Sequence, residues 1–168
     1  MANQFVGYDN IINLVAPVAG TTGTITSPYM DLKNAHKASF LISFGAIVST
    51  TTTDSLTITV DGATAEDGTE AQVDFRYRLS GAIGTNTWGA VTTVAAATGM
   101  AEAIPALDLN LCWVELDPDA LGASDYRFVR FVATPSVSLE TYLISGIGIL
   151  EARYKQTTHI SATASASV

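Results

Sequence analysis

Alternation of apolar and polar residues is the dominant pattern along this chain, and it predicts β-strands. A period of two places one set of side chains on each face of a strand. The pattern is clear at 56–60 and again at 73–80, where Arg76 and Arg78 belong to the polar set. Each segment therefore predicts a half-buried strand, and the second strand has a charged outer face.

The segment 40–48 is apolar on both of its predicted faces. One face holds Phe40, Ile42, Phe44, Ala46 and Val48, and the other holds Leu41 and Ile47. Apolar residues on both faces are typical of a strand that is covered on both sides. We therefore predict that protein covers both faces of this strand.

Further strands follow from the same pattern, and turn-forming residues separate them. They are predicted at 88–94, 111–116, 126–133 and 142–154. A strand at 23–32 would be interrupted by Pro28, which cannot donate to a ladder. About eight strands with frequent turns predict an all-β fold, either an antiparallel sandwich or a barrel.

Helix is scarce in the predicted structure. A single helical turn is expected at 117–122, where Pro118 suits the first helical position and Gly122 can end the turn. The Ala-rich segment 95–109 is interrupted by Gly99 and Pro105, which favours a surface loop or a short edge strand.

Composition divides the chain into an N-terminal arm at 1–26, a sandwich domain at 27–155 and a C-terminal tail at 156–168. The tail has almost no charge and little to bury, which predicts a disordered or extended end. Two interpretations stay open: a frayed end, or a segment that orders on a neighbouring subunit. In the second case the partner-binding residues are predicted to be Ile11, Ile12, Leu14, Val15, His159, Ile160 and Val168.

Charge narrows the range of partners. Charged residues make up 14% of the 168 residues, whereas roughly 25% is usual in globular domains. This low content indicates a surface that other chains partly cover. The net charge of −8, without a basic run, disfavours nucleic acid and anionic membranes as partners. We expect no membrane span and no signal peptide, hence a soluble protein made in a cytoplasm.

Candidate catalytic and metal-binding residues are few. His36 and His159 are far apart and form no zinc-ligand spacing with Cys112, which lies in an apolar run and is predicted to be buried. Ser145 lacks the glycine that a nucleophile elbow places two residues before the serine. We therefore predict no catalytic residue, no metal and no cofactor, and a chain that is not an enzyme.

Two further motifs have structural interpretations. Gly146 and Gly148 resemble the start of a dinucleotide fingerprint, but Glu151 replaces the third glycine and no helix pattern follows. They are predicted to be close-packing sites in a strand. The acidic segment 61–70 lacks the spacing of a calcium loop and is predicted to be a solvated hairpin loop.

The segment 126–132 alternates aromatic and basic residues. That pattern can stack bases, but the acidic total favours a strand. Arg127 and Arg130 then lie on opposite faces, so one must be paired inside or at an interface, because an unpaired buried charge is costly. The nearest candidate partners along the chain are Asp117, Asp119 and Asp125.

The order of these motifs resembles a known family. The segment 30–40 leads into a strand ending at Phe44-Gly45, and a hairpin with Phe75-Arg76-Tyr77-Arg78 follows. After these come Trp88, Val114-Glu115-Leu116-Asp117 and Tyr126-Arg127-Phe128-Val129-Arg130. Over residues 25–155 this order is similar to that of the decoration or cement proteins of tailed bacteriophages, small proteins encoded near the capsid gene.

The resemblance implies a jelly-roll-like sandwich, often a homotrimer, at local threefold positions of the shell. It implies a structural virion protein on the capsid surface that binds the major capsid protein and stabilises the shell by bridging capsomers. Two alternatives stay open: a tail or baseplate component, and a receptor-binding or carbohydrate-binding sandwich module. A carbohydrate-binding module would show an exposed aromatic platform, whereas Trp88 and Trp113 are predicted to be core or interface residues.

Overall fold

Two antiparallel sheets pack face to face, which confirms the predicted all-β sandwich. The computed structural model describes residues 9–21, 23–49, 54–81, 83–103, 107–116, 121–122, 124–136 and 139–152.

Twelve strands lie in the described part of the chain. They are β1 (Asp9–Gly20), β2 (Ile25–Thr26), β3 (Met30–Asp31), β4 (Ala35–Ser49), β5 (Ser55–Ala63), β6 (Ala71–Gln72), β7 (Phe75–Leu79), β8 (Thr92–Val94), β9 (Met100–Ala103), β10 (Leu111–Leu116), β11 (Phe128–Pro135) and β12 (Leu139–Ala152). The first sheet has the strand order β1-β12-β4-β10-β7-β8, and the second has the order β2-β11-β5-β6. In the second sheet β3 also pairs with β11, and β9 pairs with β5.

The number of strands differs from the expected number. About eight strands were expected. The predicted strand at 23–32 is divided into β2 and β3, and the short β6 and β9 and the edge strand β1 were not predicted as strands. Alternation does not reveal strands of two to four residues, such as β6 and β9.

Some of the predicted strand boundaries agree with the structure and others differ from it. The strand predicted at 111–116 is β10. The segment 23–32 forms two short strands on either side of Pro28. The segment 95–109 contains the short strand β9, and most of the helical turn predicted at 117–122 lies outside the described residues. No helix in the described ranges is long and apolar enough to cross a membrane.

The core lies between the two sheets and is built from the inward residues of their long strands. Phe40 of β4 and Phe131 of β11 are both fully buried, and their rings meet edge to face with centroids 5.5 Å apart. Cys112 of β10 is buried as predicted, and burial raises the pKa of its thiol to about 12. This thiol is therefore un-ionised at neutral pH and behaves as a small apolar side chain.

A bulge in β4 changes which residues face the core. Phe44 pairs with Ile144 but Ile47 pairs with Tyr142, so β4 has one residue more than β12 between these pairs. Ile47 therefore packs against the core, whereas Val48 is 50% exposed. Ala46 is exposed as well. The predicted assignment of Ala46, Ile47 and Val48 to the two faces was therefore wrong, because a bulge reverses the alternation beyond it.

Part of the predicted N-terminal arm is a strand of the sandwich. Residues 9–20 form β1, which pairs antiparallel with β12 at the edge of the first sheet. Its pairing is irregular near Val15 and Val18, and Pro17 lies in the same stretch. Proline is tolerated on an edge strand because its missing N–H need not enter the ladder. The tail at 156–168 lies outside the described residues.

The glycines of β12 are close-packing sites, as predicted. A Cβ atom built on Gly146 would lie 2.6 Å from Cζ of Phe131, and one on Gly148 would overlap Sδ of Met30. Both neighbouring side chains are fully buried. The absence of side chains at these two positions therefore lets the second sheet approach β12.

The two arginines near β11 have carboxylate partners from distant strands. Arg127 donates to Asp31, with Nε 2.8 Å from Oδ1. The half-buried Arg130 has Nε 3.6 Å from Oδ2 of Asp61 and pairs with Glu70 through Nη2. Both arginines are therefore paired, but the less exposed of the two, Arg130, is half-buried and not inside the core. Of the partners proposed for the paired arginine, Asp125 was wrong, because Arg127 and Arg130 pair with carboxylates of other strands and loops. The other two, Asp117 and Asp119, lie outside the described residues.

Candidate functional site

The outer face of the first sheet carries apolar side chains where a solvent-facing sheet is usually polar. On β12 the residues Ile144, Gly146, Gly148 and Leu150 are buried toward the core, so the alternate residues face outward. Strand pairing extends this outward set onto β1, β4 and β10. We call it the apolar outer face, and it consists of Ile11, Leu41, Trp113, Leu143, Ile147 and Ile149.

Register places several of these residues in one row across the sheet. Ile147 of β12 pairs with Leu41 of β4, Leu41 pairs with Trp113 of β10, and Trp113 pairs with Arg78 of β7. Directly opposite residues on one face of a sheet have Cβ atoms about 5 Å apart, so these side chains are neighbours. The row is therefore a continuous apolar strip with an arginine at one end.

Exposure is largest toward the edge of this face. Leu143 is 46% exposed and Ile11 is 51% exposed. The side chain of Leu143 lies over Gly45, whose carbonyl accepts a hydrogen bond from the N–H of Leu109. Leu109 is itself 47% exposed and has a φ of 59°, which is unfavourable for a leucine. The backbone thus holds another apolar side chain in solvent beside the apolar outer face.

Two tryptophans and an arginine form a compact cluster at the β7 end of the row. The rings of Trp88 and Trp113 meet edge to face with centroids 5.9 Å apart. The guanidinium carbon of Arg78 lies 4.9 Å from the Trp88 ring centroid and 5.1 Å from that of Trp113. Such cation–π contacts contribute about 0.5–1 kcal/mol each at exposed sites and fix the orientation of the arginine.

Charged residues border the apolar outer face. Arg76 of β7 lies opposite Glu115 in the register with β10, and Lys37 of β4 lies opposite Glu151 in the register with β12. A shallow groove runs beside Trp113, with Arg76, Arg78, Val91 and Glu115 in its walls. An apolar centre inside a polar rim is the usual anatomy of a protein–protein interface.

The predicted partner-binding residues separate into two groups. Ile11 lies on the apolar outer face beside its cross-strand partner Ile149. Leu14 is only 6% exposed and belongs to the core, and Ile12 and Val15 pack against that core. Of the predicted set, the described structure therefore leaves Ile11 exposed for a partner. His159, Ile160 and Val168 lie outside the described residues.

The sequence pattern indicated most of this face, although its residues other than Ile11 were not among the predicted partner-binding residues. Leu41, Trp113, Ile147 and Ile149 are apolar residues at strand positions whose neighbours are also apolar, so these strands do not alternate cleanly. The expectation that β4 is covered on both sides came from this signal. In the described part of the chain the second sheet covers the inner side of β4, and no strand covers its outer side.

A second polar cluster lies on the second sheet. Arg130 lies 4.7 Å from the ring centroid of Tyr29 and pairs with Glu70. Burial is the main cause that raises the pKa of Tyr29 to about 12, and it also raises the pKa of Asp61. Arg130 thus contacts Tyr29, Asp61 and Glu70 of its own chain, and these contacts link neighbouring segments of the second sheet.

The described side chains of the types that bind metals or act as nucleophiles are dispersed. The described residues contain no group of three or more His, Cys, Asp or Glu side chains that could hold a metal ion. His36 is exposed on β4, and the Sγ atom of Cys112 lies in the core 3.6 Å from Sδ of Met100. The apolar outer face and its tryptophan cluster are therefore the strongest candidate site that the structure describes.

Asp31 should make stability depend on pH. Hydrogen bonds from Arg127 are the main cause that holds the pKa of Asp31 below its ordinary value. A carboxylate with a lowered folded pKa stabilises the fold above its unfolded pKa, near 4, and this contribution is lost as the pH falls through the folded value. We expect Asp31→Asn to lower the free energy of unfolding at neutral pH, and the difference from wild type to shrink below about pH 4.

Urea unfolding at a series of pH values measures this effect. Glu66→Gln is the matched control, because Glu66 is exposed at a loop tip and forms no ion pair with the described residues. A difference between Asp31→Asn and wild type that stays constant down to the lowest pH would contradict the assigned cause.

Comparison with known proteins gives no family assignment. No protein-family model matches the sequence, and no curated protein matches it. Among solved structures, the fold is similar to the CBM22-1–GH10 modules of Clostridium thermocellum xylanase 10B complexed with xylohexaose, with 12% identity and a TM-score of 0.34 over 95% of this chain and 28% of that chain. A structure of infectious bursal disease virus, Gt strain, is similar with 11% identity and a TM-score of 0.24 over 92% of this chain and 43% of that chain. This chain spans less than half the length of either, and no functional argument rests on similarities of this size.

Proposed function

We propose that this protein is a non-enzymatic structural protein that works by assembly. It binds the outer surface of a tailed-phage capsid as a homotrimer and stabilises the shell by bridging capsomers. Its partners in this proposal are the major capsid protein and further copies of itself, and it resides on the capsid surface of the virion.

The observation that carries the proposal is the apolar outer face of the first sheet. Five aliphatic residues and Trp113 lie on one side of β1, β12, β4 and β10, and no described strand covers them. Contiguous apolar surface with a polar rim marks an interaction site on a soluble protein. The low content of charged residues supports the same function, because a surface that meets other chains needs fewer solubilising charges.

The residue types on this face suit a stable contact. Tryptophan and arginine are enriched among the residues that dominate binding energy, and Trp113 and Arg78 are adjacent in the row. Their mutual packing fixes both side chains before a partner arrives, which lowers the entropic cost of association. The face is therefore a preorganised surface for protein binding.

Introducing one charge into the apolar outer face tests the function. We expect Ile147→Asp to keep the fold, since this side chain points outward, and to abolish co-sedimentation with heads of the phage that encodes the protein. The buried carboxylate would lose its hydration at the interface without gaining a partner. Sedimentation of saturated heads and circular dichroism of the free variant give the two measurements.

Ile83→Asp is the matched control, because Ile83 is 71% exposed in the turn after β7 and is not one of the residues of the apolar outer face. The control is expected to bind heads as the wild type does. Wild-type protein that does not sediment with heads would overturn the capsid proposal. Equal binding of Ile147→Asp and wild type to heads would show that the apolar outer face does not contact the capsid.

A carbohydrate-binding module is the second candidate function, and one observation favours it. Trp113 is a partly exposed aromatic residue beside a groove with polar walls, and such a residue can stack on a sugar ring. Glycan-array binding that is lost in Trp113→Ala, with no sedimentation on phage heads, would favour this function over capsid decoration.

A further inference from the structure

We propose that the segment 64–72 is a flap that opens and closes over a groove of the second sheet, and that the ion pair between Glu70 and Arg130 is the latch that holds it closed. We call this segment the flap. It contains the turn after β5 and the short strand β6. The proposal concerns a conformational device of the chain itself and does not depend on capsid binding.

The flap is attached to the sandwich mainly at its two ends. Ala63 before it and Val73 after it are buried, whereas every side chain between them is partly or fully exposed. The backbone of the flap pairs with β5 at only two positions, both in β6. Ala63 and Val73 are therefore the hinge positions, and little buried apolar surface opposes opening of the segment between them.

One side chain ties the flap to the rest of the chain. Glu70 forms an ion pair with Nη2 of Arg130 and lies close to the hydroxyl group of Tyr29. Within the described ranges, no other side chain of the flap has a hydrogen bond or an ion pair. The contacts of Glu70 are therefore the latch, and their loss would free the middle of the flap.

Arg130 depends on Glu70 for its closest polar contact. Its Nε atom is buried without a hydrogen-bond partner among the described residues, and it lies 3.6 Å from Oδ2 of Asp61, which is too long for a hydrogen bond. The remaining contact is with the ring of Tyr29, whose centroid is 4.7 Å away. Without Glu70 a half-buried guanidinium would be poorly paired, so the closed state of the flap is favoured.

The flap forms one wall of a groove of about 570 Å³, and Ser27, Pro28 and Tyr29 form the opposite wall. Arg130 also lines this groove, and it contacts Tyr29 on one wall and Glu70 on the other. Release of Glu70 would let the walls separate and would expose Arg130 and the side chain of Tyr29, which is only 7% exposed in the closed state. The flap thus controls access to a cation and a hydroxyl group.

Hydrogen exchange of the full chain, followed by NMR at constant pH, tests the latch. In the wild type we expect the β6 amides to exchange through a local opening, hence with less protection than the β10 amides and with almost no dependence on low concentrations of urea. We expect Glu70→Gln to raise the exchange rates of the β6 amides about three- to tenfold, because the flap opens more often without the ion pair.

Salt gives a second measurement on the same amides. The Glu70 side chain is 40% exposed, so dissolved ions screen its attraction to Arg130. A higher sodium chloride concentration is expected to speed the exchange of the β6 amides in the wild type, and to have no such effect in Glu70→Gln. Glu66→Gln is the matched control, because it removes the same charge from the same flap and Glu66 has no ion pair with the described residues. It is expected to exchange as the wild type does.

Three results would each overturn the inference. Equal exchange rates of the β6 amides in Glu70→Gln and wild type would show that the ion pair does not hold the flap. Equal free energies of opening for β6 and β10 would show that this segment opens only when the whole sandwich unfolds. A salt effect that persists unchanged in Glu70→Gln would assign that effect to other charges.

Discussion

Replacing Phe131 with alanine is expected to lower the free energy of unfolding by about 4 kcal/mol. Phe131 is fully buried in β11 and faces the first sheet, where its ring meets that of Phe40. The same ring fills the space over Gly146, which has no side chain of its own. Truncation would therefore leave a cavity between the sheets and remove an aromatic pair. Urea unfolding followed by tryptophan fluorescence measures the change.

Phe128→Ala is the matched control, because Phe128 begins the same strand but is only partly buried and packs on Tyr29 at 6.2 Å. Its loss is expected to be about 1 kcal/mol, since partial burial contributes less transfer free energy. Similar losses in the two variants would show that the space between the sheets collapses around residue 131.

Alternation predicted the long strands well because one face of each is pressed against the core. In β11, Val129 and Phe131 are buried while Phe128 and Arg130 are partly exposed, as the pattern of the segment requires. In β10, Cys112 and Val114 are buried in the same way. A strand with one buried face shows alternating apolar and polar residues in its sequence, whichever strands it pairs with.

The position of β1 could not be read from the same pattern. Residues 9–20 are nearly all uncharged, and their pairing with β12 shifts register near Val15 and Val18. An edge strand with bulges has no constant period, so the segment looked like an arm. For the same reason the bulge in β4 placed Ile47 on the opposite face from the one predicted.

Ion-pair partners were missed because sequence proximity is a poor guide in a sheet. Arg130 lies directly opposite Asp61 in the pairing of β11 with β5, although the two residues are far apart in the chain. Arg127 reaches Asp31 in the same manner, next to the pairing of β11 with β3. The register of two strands decides such contacts, and a single sequence does not contain that register.

The candidate site was predicted only in part, and the reason is general. The double-sided apolar character of β4 predicted that both of its faces are covered, but a strand pattern does not tell which layer supplies the cover. Here the second sheet covers the inner side, and the outer side with Leu41 and Trp113 stays open in the described chain. The open side is the one that we propose as the binding surface.

Replacing Gly146 with valine is expected to lower the free energy of unfolding by about 3 kcal/mol, because added atoms in a filled core displace rigid neighbours. A Cβ atom there would lie 2.6 Å from Cζ of Phe131, and an aromatic ring cannot fold away as a flexible chain does. Gly23→Val is the matched control, since no atom lies within 4 Å of a Cβ built on Gly23. The control should change stability by less than about 0.5 kcal/mol, as surface substitutions usually do.

The contact between Phe131 and Gly146 also predicts how Phe131→Ala and Gly146→Val combine in one chain. Phe131→Ala removes the ring that a valine at 146 would strike, and the valine fills part of the cavity that the alanine leaves. The double variant should therefore lose less stability than the sum of the single losses, with a coupling of about 1–3 kcal/mol. Strict additivity in urea unfolding would mean that the single losses have other causes, and that Gly146 and Phe131 do not share one space between the two sheets.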